Sequence, residues 1–469
     1  MPAIARRDRP HILVVGGGYV GMYTTLRLLK KLHPGEASIT VVDPQSYMTY
    51  QPFLPEAAAG NLEPRHVVVP LRKVLRRAQV LSGHIRSISH SRRVAVFEPH
   101  EGNRVELSYD ILIVAPGSIA RTLPIPGLAE VGIGFKTVAE AIYLRNQVLG
   151  QLDVAASTTD PELRRAALTF LVIGGGYAGI EALAELHDMA AYAIRYYDDM
   201  TPADMRWMLV EASHRILPEV SEPMGRYTVR QLERVGIEVL LNTRVESLTG
   251  GRVELDDGQS FDAETVVWTA GVKPNPLLRD TDLPLDDAGR LRATEYLTVD
   301  GADDVWAAGD CAAVPDLTRP EALCGPSAQH AVRQSHRLAD NLVASLRGEP
   351  LKAYRHAYAG SVASLGLHKG VAEIYGVKLR GWPAWMMHRT YHMTRMPTFN
   401  RKVRVVADWT LALLFRREIV SLGGFADPRA EFVSAATPPA AVPEAAVPEA
   451  AVPKAAVPKA VGSPEGSTM

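Results

Sequence analysis

The feature that most constrains this chain is a glycine fingerprint that occurs twice. The first copy is VVGGGYVG, in which Gly16, Gly18 and Gly21 satisfy G-x-G-x-x-G, with Gly17 between them. It follows an apolar run at residues 12–15 and precedes a helical pattern at residues 23–29. One glycine lets a strand turn sharply, one lets the main chain approach a pyrophosphate, and one lets the helix pack close to the strand. The helix start then presents free N–H groups and a positive dipole end to the phosphates. An acid is expected about twenty residues later for a ribose hydroxyl. The strand SITVVD ends in that acid, Asp43.

The second copy is LTFLVIGGGYAGIEALAEL, with Gly174, Gly176 and Gly179. One fingerprint holds one dinucleotide, so two imply two nucleotides brought face to face. The next strand, MRWMLVE, ends at Glu211. An acid there accepts from both ribose hydroxyls and repels a 2′-phosphate, which favours NAD over NADP. Arg215, close behind, tempers that preference. The spacing to Glu211 is long, and HDMAAYAIRYYDDMTPADM is expected to add a helix and a loop.

The intervening segments read as follows. SYMTYQPFLPEAAAGNLEPRHVVVPLRKVL is an irregular loop and then a helix; its aromatics suit the edge of a planar ring and a packed loop equally. YDILIVAPG is a buried strand ending at Gly117, where main chain can pass close to a ligand. RTLPIPG is a proline-rich domain boundary. LTVDGADDVWAAGDCAAV is a returning strand that sets the Asp310 carboxylate beside a bend, suited to a hydroxyl of a ribityl or phosphate-linked chain. A helix is expected at residues 328–345.

Composition narrows the class. A formal net charge of -1 gives no general attraction to nucleic acid. The only cysteines, Cys311 and Cys324, exclude a disulfide framework and fit a reducing compartment. The basic start MPAIARRDRP lacks the apolar core of a secretory signal. No run of about 18 apolar residues exists, so no spanning helix is expected. No metal site is expected.

The two fingerprints and VWAAGDCA resemble the flavoproteins with two dinucleotide-binding domains. Members that use a redox disulfide carry paired cysteines near the flavin. Cys311 and Cys324 form no such pair, which argues against disulfide reductases and sulfide:quinone reductases. SAQHAVRQ narrows the resemblance further. Its Ala328, Gln329, Ala331 and Gln334 look like the A-Q-x-A-x-x-Q signature of type II NADH:quinone oxidoreductases, in which this helix start lies against the flavin and helps line the quinone site. On an ideal helix the two glutamines stand about 140° apart, so they cannot both aim at one atom.

This resemblance implies an α/β fold with two Rossmann-like domains. Residues 1–120 and 293–345 would form a discontinuous FAD-binding domain and residues 121–292 an NADH-binding domain. Residues 346–432 would carry a hairpin and amphipathic membrane-anchoring helices, and residues 433–469 a tail. For FAD it implies Gly16, Gly17, Gly18, Gly21, Asp43, Ile85, Gly117, Asp310, Ala328 and Lys369. For NADH it implies Gly174, Gly176, Gly179 and Glu211. Glu181, Gln329 and Gln334 would be catalytic. From the residues alone, Glu181 is equally an acid suited to a helix's first turn, and Lys369 a hairpin-surface lysine.

The C-terminal stretch is distinctive. On a helical wheel Trp382, Trp385, Met386, Met393 and Met396 share one side. His388 and Arg395 fall opposite, His392 sits at the border, and Arg389 intrudes among the apolar residues. Pro397 ends that helix. Residues 405–415 are apolar nearly all round except Asp408, between Arg401, Lys402 and Arg404 before and Arg416 and Arg417 after. Eleven residues of helix make about 16 Å against about 30 Å of hydrocarbon, so the run cannot cross. Basic flanks and tryptophans suit helices lying on an anionic membrane. After Phe432 the repeat AAVPEAAVPEAAVPKAAVPKAV forbids a helix and lacks the bulk for a core, and reads as a disordered appendage.

The expected function is oxidation of NADH with two-electron transfer through FAD to a quinone, menaquinone or ubiquinone. It would proceed without ion translocation, at the cytoplasmic face of the cell membrane, with a homodimer possible. Two alternatives stay open at this point. One is a soluble NADH-dependent reductase or oxidase acting on oxygen or a small redox protein. The other is a non-catalytic NADH-sensing flavoprotein.

Overall fold

Each fingerprint strand is the third strand of a parallel array. In the first sheet the order is Val305–Ala307, Ile111–Val114, His11–Val15, Ser38–Asp43, Gln79–Ser89, Val94–Pro99 and Val105–Ser108. The first five run parallel and the last two antiparallel. The second sheet is wholly parallel: Gly132–Gly134, Thr265–Trp268, Thr169–Ile173, Arg206–Glu211 and Ile237–Leu241. Helices cover both faces of such sheets, so central strands can be apolar throughout. Ile12, Leu13 and Val14 are completely buried, as is Leu171 of the second sheet.

This computed structural model describes residues 9–319, 321–356 and 360–422. They fall within one compact unit, Met1–Gly423. The repeat tail lies outside the described residues.

The first glycine turn leaves the carboxyl end of His11–Val15 between strands that come before and after it in space, the switch point where open α/β sheets bind ligands. The helix it starts, Tyr19–Lys31, packs along Ala328–Leu346. Arg27 joins them by two hydrogen bonds to Asp340, at 2.6 and 2.7 Å. The strand Val305–Ala307 pairs with Ile111–Val114 and returns the chain to the first sheet. The insertion before Glu211 lengthens the second fingerprint helix to Tyr177–Ala193 and adds two single turns of 3-10 helix.

The C-terminal region begins with three antiparallel strands, Gly360–Ser364, Gly370–Ile374 and Val377–Arg380, one more than a hairpin. Two helices follow, Trp382–Arg395 and Phe399–Leu414. The first departs from the wheel at His388, which is buried, and at Trp382, which is 54% exposed, while Arg389 is buried on the apolar side where the wheel put it. The reason is acids supplied by other elements. Arg389 Nη2 donates to Glu56 Oε2 at 2.9 Å, and Trp409 Nε1 donates to the same oxygen at 2.7 Å. Asp408 is docked as well, accepting from the Glu63 main chain and lying 2.6 Å from His66 Nδ1. The loop aromatics prove to be packing: Tyr50 and Phe53 are buried against His392, and Phe53 meets Trp409 edge to face. The second helix leaves Phe399, Leu411, Leu413 and Leu414 exposed. Among the described residues no helix is long and apolar enough to cross a membrane.

Candidate functional site

The first cradle shows why its glycines are glycines. Gly16 has φ +102°, and a Cβ there would collide with the Ala115 carbonyl. A Cβ on Gly21 would strike the Gly16 carbonyl, whereas Gly18 faces open space. The outer glycines therefore close the strand–helix turn and the middle of the motif is left free for a ligand. Asp43 sits beneath it. Its Oδ2 accepts from Gly17 N–H at 2.6 Å and its Oδ1 from Gln45 N–H at 2.7 Å. Burial raises its pKa, opposed by those two donors.

The second cradle repeats this construction. Gly174 has φ +112°, a Cβ on Gly179 would meet the Gly174 carbonyl, and Gly176 faces open space. Glu211 Oε2 accepts from Gly175 N–H at 2.6 Å, and Oε1 from Ser213 N–H at 2.7 Å. Each acid thus locks its own glycine turn, a task the sequence reading did not assign. Each carboxylate oxygen keeps a further lone pair for a hydroxyl. A cleft of about 340 Å³ opens here, lined by Gly175, Gly176, Glu211, Ser213, His214 and Arg215. The Arg215 guanidinium is turned into its own loop, donating to the Leu217 and Val220 carbonyls.

Gly117, at φ +70°, opens the crossing that follows Ile111–Val114. Beside it runs a chain of polar contacts absent from the sequence reading. Lys136 Nζ donates to Ser118 Oγ at 2.7 Å, and Ser118 Oγ donates to Asp310 Oδ2 at 2.7 Å. Burial lowers the Lys136 pKa, with Asp310 and Glu140 opposing. A capping box aims this lysine: Thr137 and Glu140 exchange hydrogen bonds at the start of Val138–Ser157, and Glu140 also accepts from Lys136 N–H. The T-x-x-E pattern after Lys136 was the signal available in the sequence. Ile85 has its side chain in the core. Pairing of its strand with Ser38–Asp43 stops at Ser82, so at Ile85 the main chain on that edge is free of the ladder.

Ala328 opens its helix, capped by Ser327, whose Oγ accepts from His330 N–H at 3.1 Å. The two glutamines part company, as their angular separation requires. Gln329 Oε1 lies 2.8 Å from His356 Nε2, and its amide donates to the Gly360 carbonyl at 3.3 Å. An amide oxygen only accepts, so Nε2 of His356 carries the proton. Burial, with Arg333 and His330, lowers the His356 pKa to about 4 and keeps the ring neutral. Gln334 turns the other way. It is 1% exposed and its Oε1 accepts from Gly309 N–H at 2.7 Å. It ties the helix to the turn bearing Asp310.

Glu181 and Lys369 flank a buried acidic cluster. Glu181, 7% exposed, accepts from Ser364 N–H at 2.9 Å and lies 3.0 Å from His388 Nε2, out of line for a hydrogen bond. Burial opposes charge on His388, but Glu181, Glu56 and Glu185 together raise its pKa. Glu185, one helical turn on, accepts from Asn61 and from Ser364 Oγ, each at 2.9 Å. Burial, then Glu56 and Asp188, pushes its carboxyl up to about 7. Lys369 closes the turn before Gly370–Ile374, with Nζ 4.0 Å from Asp188.

Two cradles of one design on two sheets set this chain among known proteins. Residues 10–335 match the model of the pyridine nucleotide-disulphide oxidoreductases. The chain belongs to that family. It is 28% identical over 444 residues to the type II NADH:quinone oxidoreductase of Mycobacterium tuberculosis, covering 90% of this chain and 93% of the relative. It is 29% identical to the demethylphylloquinone reductase of Synechocystis, covering 86% and 96%. The fold resembles NDH2 of Plasmodium falciparum solved in complex with NADH, at TM-score 0.81 and 18% identity, covering 88% of this chain and 99% of the other.

The family's disulfide chemistry has no counterpart here. Cys311 and Cys324 are both free and buried. Burial pushes the Cys311 thiol up to about 12 and the Cys324 thiol up to about 11, so neither is a thiolate at neutral pH. The residues present do fit the family's nucleotides. The open face at Gly18 and the Asp43 carboxylate offer the room and the acceptor that a pyrophosphate and a ribose require. The 340 Å³ cleft at Glu211 offers the same to a second nucleotide.

Proposed function

We propose that this protein oxidises NADH and reduces a quinone at the surface of an anionic membrane. The observation that carries the reading is the doubled cradle. One nucleotide site serves a cofactor that stays, and the other a substrate that leaves. Gly16, Gly17, Gly18, Gly21 and Asp43 hold FAD, with the Ile85 main chain at its adenine end. Gly117, Asp310, Ala328 and Lys369 surround the remainder. Gly174, Gly176, Gly179 and Glu211 hold NADH. When bound, FAD supplies a two-electron carrier between nicotinamide and quinone.

The chain's own residues supply position and protons. Lys136 and Ser118 hold the Asp310 carboxylate as an acceptor with a fixed aim. The Ala328 helix start presents a positive dipole end, which favours negative charge beside it. Gln329, oriented by neutral His356, offers a neutral carboxamide to a quinone carbonyl. Reduction of a quinone by NADH consumes one proton from the medium for each quinol formed. Glu181, Glu56 and Glu185 raise the pKa of His388, which lies beside Glu181. The apolar face of Phe399–Leu414, with Arg404 and Arg416, suits the interface of an anionic membrane. Its basic residues suit the anionic surface of a cytoplasmic leaflet.

Rapid mixing of the FAD-loaded protein separates the half-reactions. Gln329→Ala should slow reoxidation by a quinone analogue about tenfold or more, while bleaching of the flavin by NADH stays within about twofold. Equal losses in both half-reactions would remove Gln329 from the quinone site. A flavin that NADH does not bleach would sink the enzymatic reading altogether.

A further inference from the structure

A second cleft, about 390 Å³, lies away from both cradles, where the outer side of Tyr19–Lys31 meets Leu71–Val74 and the start of Phe399–Leu414. Its volume is in the range of small-ligand sites, about 300–1,000 Å³. Five cations line it, Lys30, Lys73, Arg76, Arg77 and Arg401, and no carboxylate does. Among the described residues none of the five has an ion pair. Their neighbours differ: Lys31 is paired with Asp340, and Lys402 Nζ donates to the Thr394 carbonyl. Burial, then Arg404, lowers the Arg401 pKa, as expected of a guanidinium without a counter-charge. Five like charges lining one cleft repel, and an anion bound there relieves that repulsion.

The cleft is amphipathic. Leu26, Leu29 and Val74 form an apolar wall. At the lip Thr398 and Asn400 flank Phe399, which is 81% exposed. From there the apolar face continues through Val403 and Val406. A free inorganic anion has no use for such a wall. A phosphate that carries acyl chains uses both parts.

We propose that this cleft binds the headgroup of one anionic phospholipid, with the phosphate among Lys73, Arg76, Arg77 and Arg401 and the acyl chains against Leu26, Leu29 and Phe399. The proposal rests on the membrane reading above and sharpens it, since a discrete lipid site is distinct from general attraction to negative surface. A bound lipid at this junction ties the first fingerprint helix to the start of the last helix.

The test uses the full FAD-loaded chain and short-chain phosphatidylglycerol below its micellar concentration, followed by calorimetry. Saturable one-to-one binding is expected, with phosphatidylcholine of the same chain length binding much more weakly. K73Q/R77Q should weaken binding about 25-fold, at about fivefold for each charge removed. K73R/R77K should keep it. R195Q/R355Q, two exposed cations outside the cleft, should leave it unchanged. Equal loss in the two glutamine pairs would overturn the site in favour of diffuse attraction. Inorganic phosphate binding as tightly as the lipid would overturn the lipid as its source. Sedimentation with phosphatidylglycerol vesicles separates the two levels of the reading. A wild type that ignores vesicles would refute the membrane reading and this site with it. A wild type that sediments, but binds short-chain lipid no better than K73Q/R77Q, would refute the site alone. An unchanged flavin spectrum and melting temperature establish that each variant is folded.

Discussion

Replacing Arg389 by methionine should release the C-terminal helices from the body. The side chain is 10% exposed and its carboxylate partner, Glu56, 2%. The guanidinium also stacks over Trp385 and Trp409, at 4.2 and 4.9 Å from the ring centroids. Methionine fills most of the volume, so the main effect is a carboxylate left buried with only Trp409 Nε1 donating to it. Breaking one side of a buried pair costs about 3–5 kcal/mol, whereas removing both charges is close to neutral. R389M should therefore lose about 3–5 kcal/mol, and R389M/E56Q should recover most of it. Guanidinium chloride unfolding of the FAD-loaded protein, followed by tryptophan fluorescence, measures this directly, because Trp385 and Trp409 sit on the clamp. Limited proteolysis between the two helices, near Pro397, supplies a local readout. A change within about 0.5 kcal/mol for R389M, or additive losses in the double variant, would refute the clamp.

Two further outcomes follow from the site. Glu211→Ala removes both the ribose acceptor and the lock on the second glycine turn. It should raise the KM for NADH about tenfold or more and narrow the preference over NADPH, measured by steady-state kinetics with both nucleotides; an unchanged ratio would mean that another residue reads the ribose. Glu185 carries a carboxyl raised to about 7. A raised folded-state pKa stabilises below the unfolded value, near 4.5, and that stability is lost as pH rises to about 7, up to about 3 kcal/mol. Glu185→Gln should flatten the stability profile between those pH values, and a wild-type profile already flat there would dispose of the assignment.

The described body answers some expectations and not others for physical reasons. Glycine turns, the strand-terminal acids Asp43 and Glu211 and the helix at Ala328 are local, so neighbouring residues already determine them. The wheel for residues 382–396 went astray because it knows one helix. It placed His388 on the polar face, but that face meets Glu181 from a helix roughly two hundred positions earlier. The bond from Gly309 N–H to Gln334 was hidden for the same reason, since the two residues lie on different elements. Lys136 escaped notice because its partners, Ser118 and Asp310, are distant in sequence.

By itself the sequence determined that this chain makes two nucleotide cradles, that neither cysteine serves a redox disulfide, and that its last helix is too short to cross a bilayer. Those properties depend on residue type and spacing along one segment. Tertiary structure alone decided which polar groups are buried together. It put Arg389 on Glu56, His388 beside Glu181, Lys136 on Ser118, and five uncompensated cations around one cleft. Charges act through space and through whatever dielectric surrounds them, and neither the distances nor the burial exist until the chain has folded.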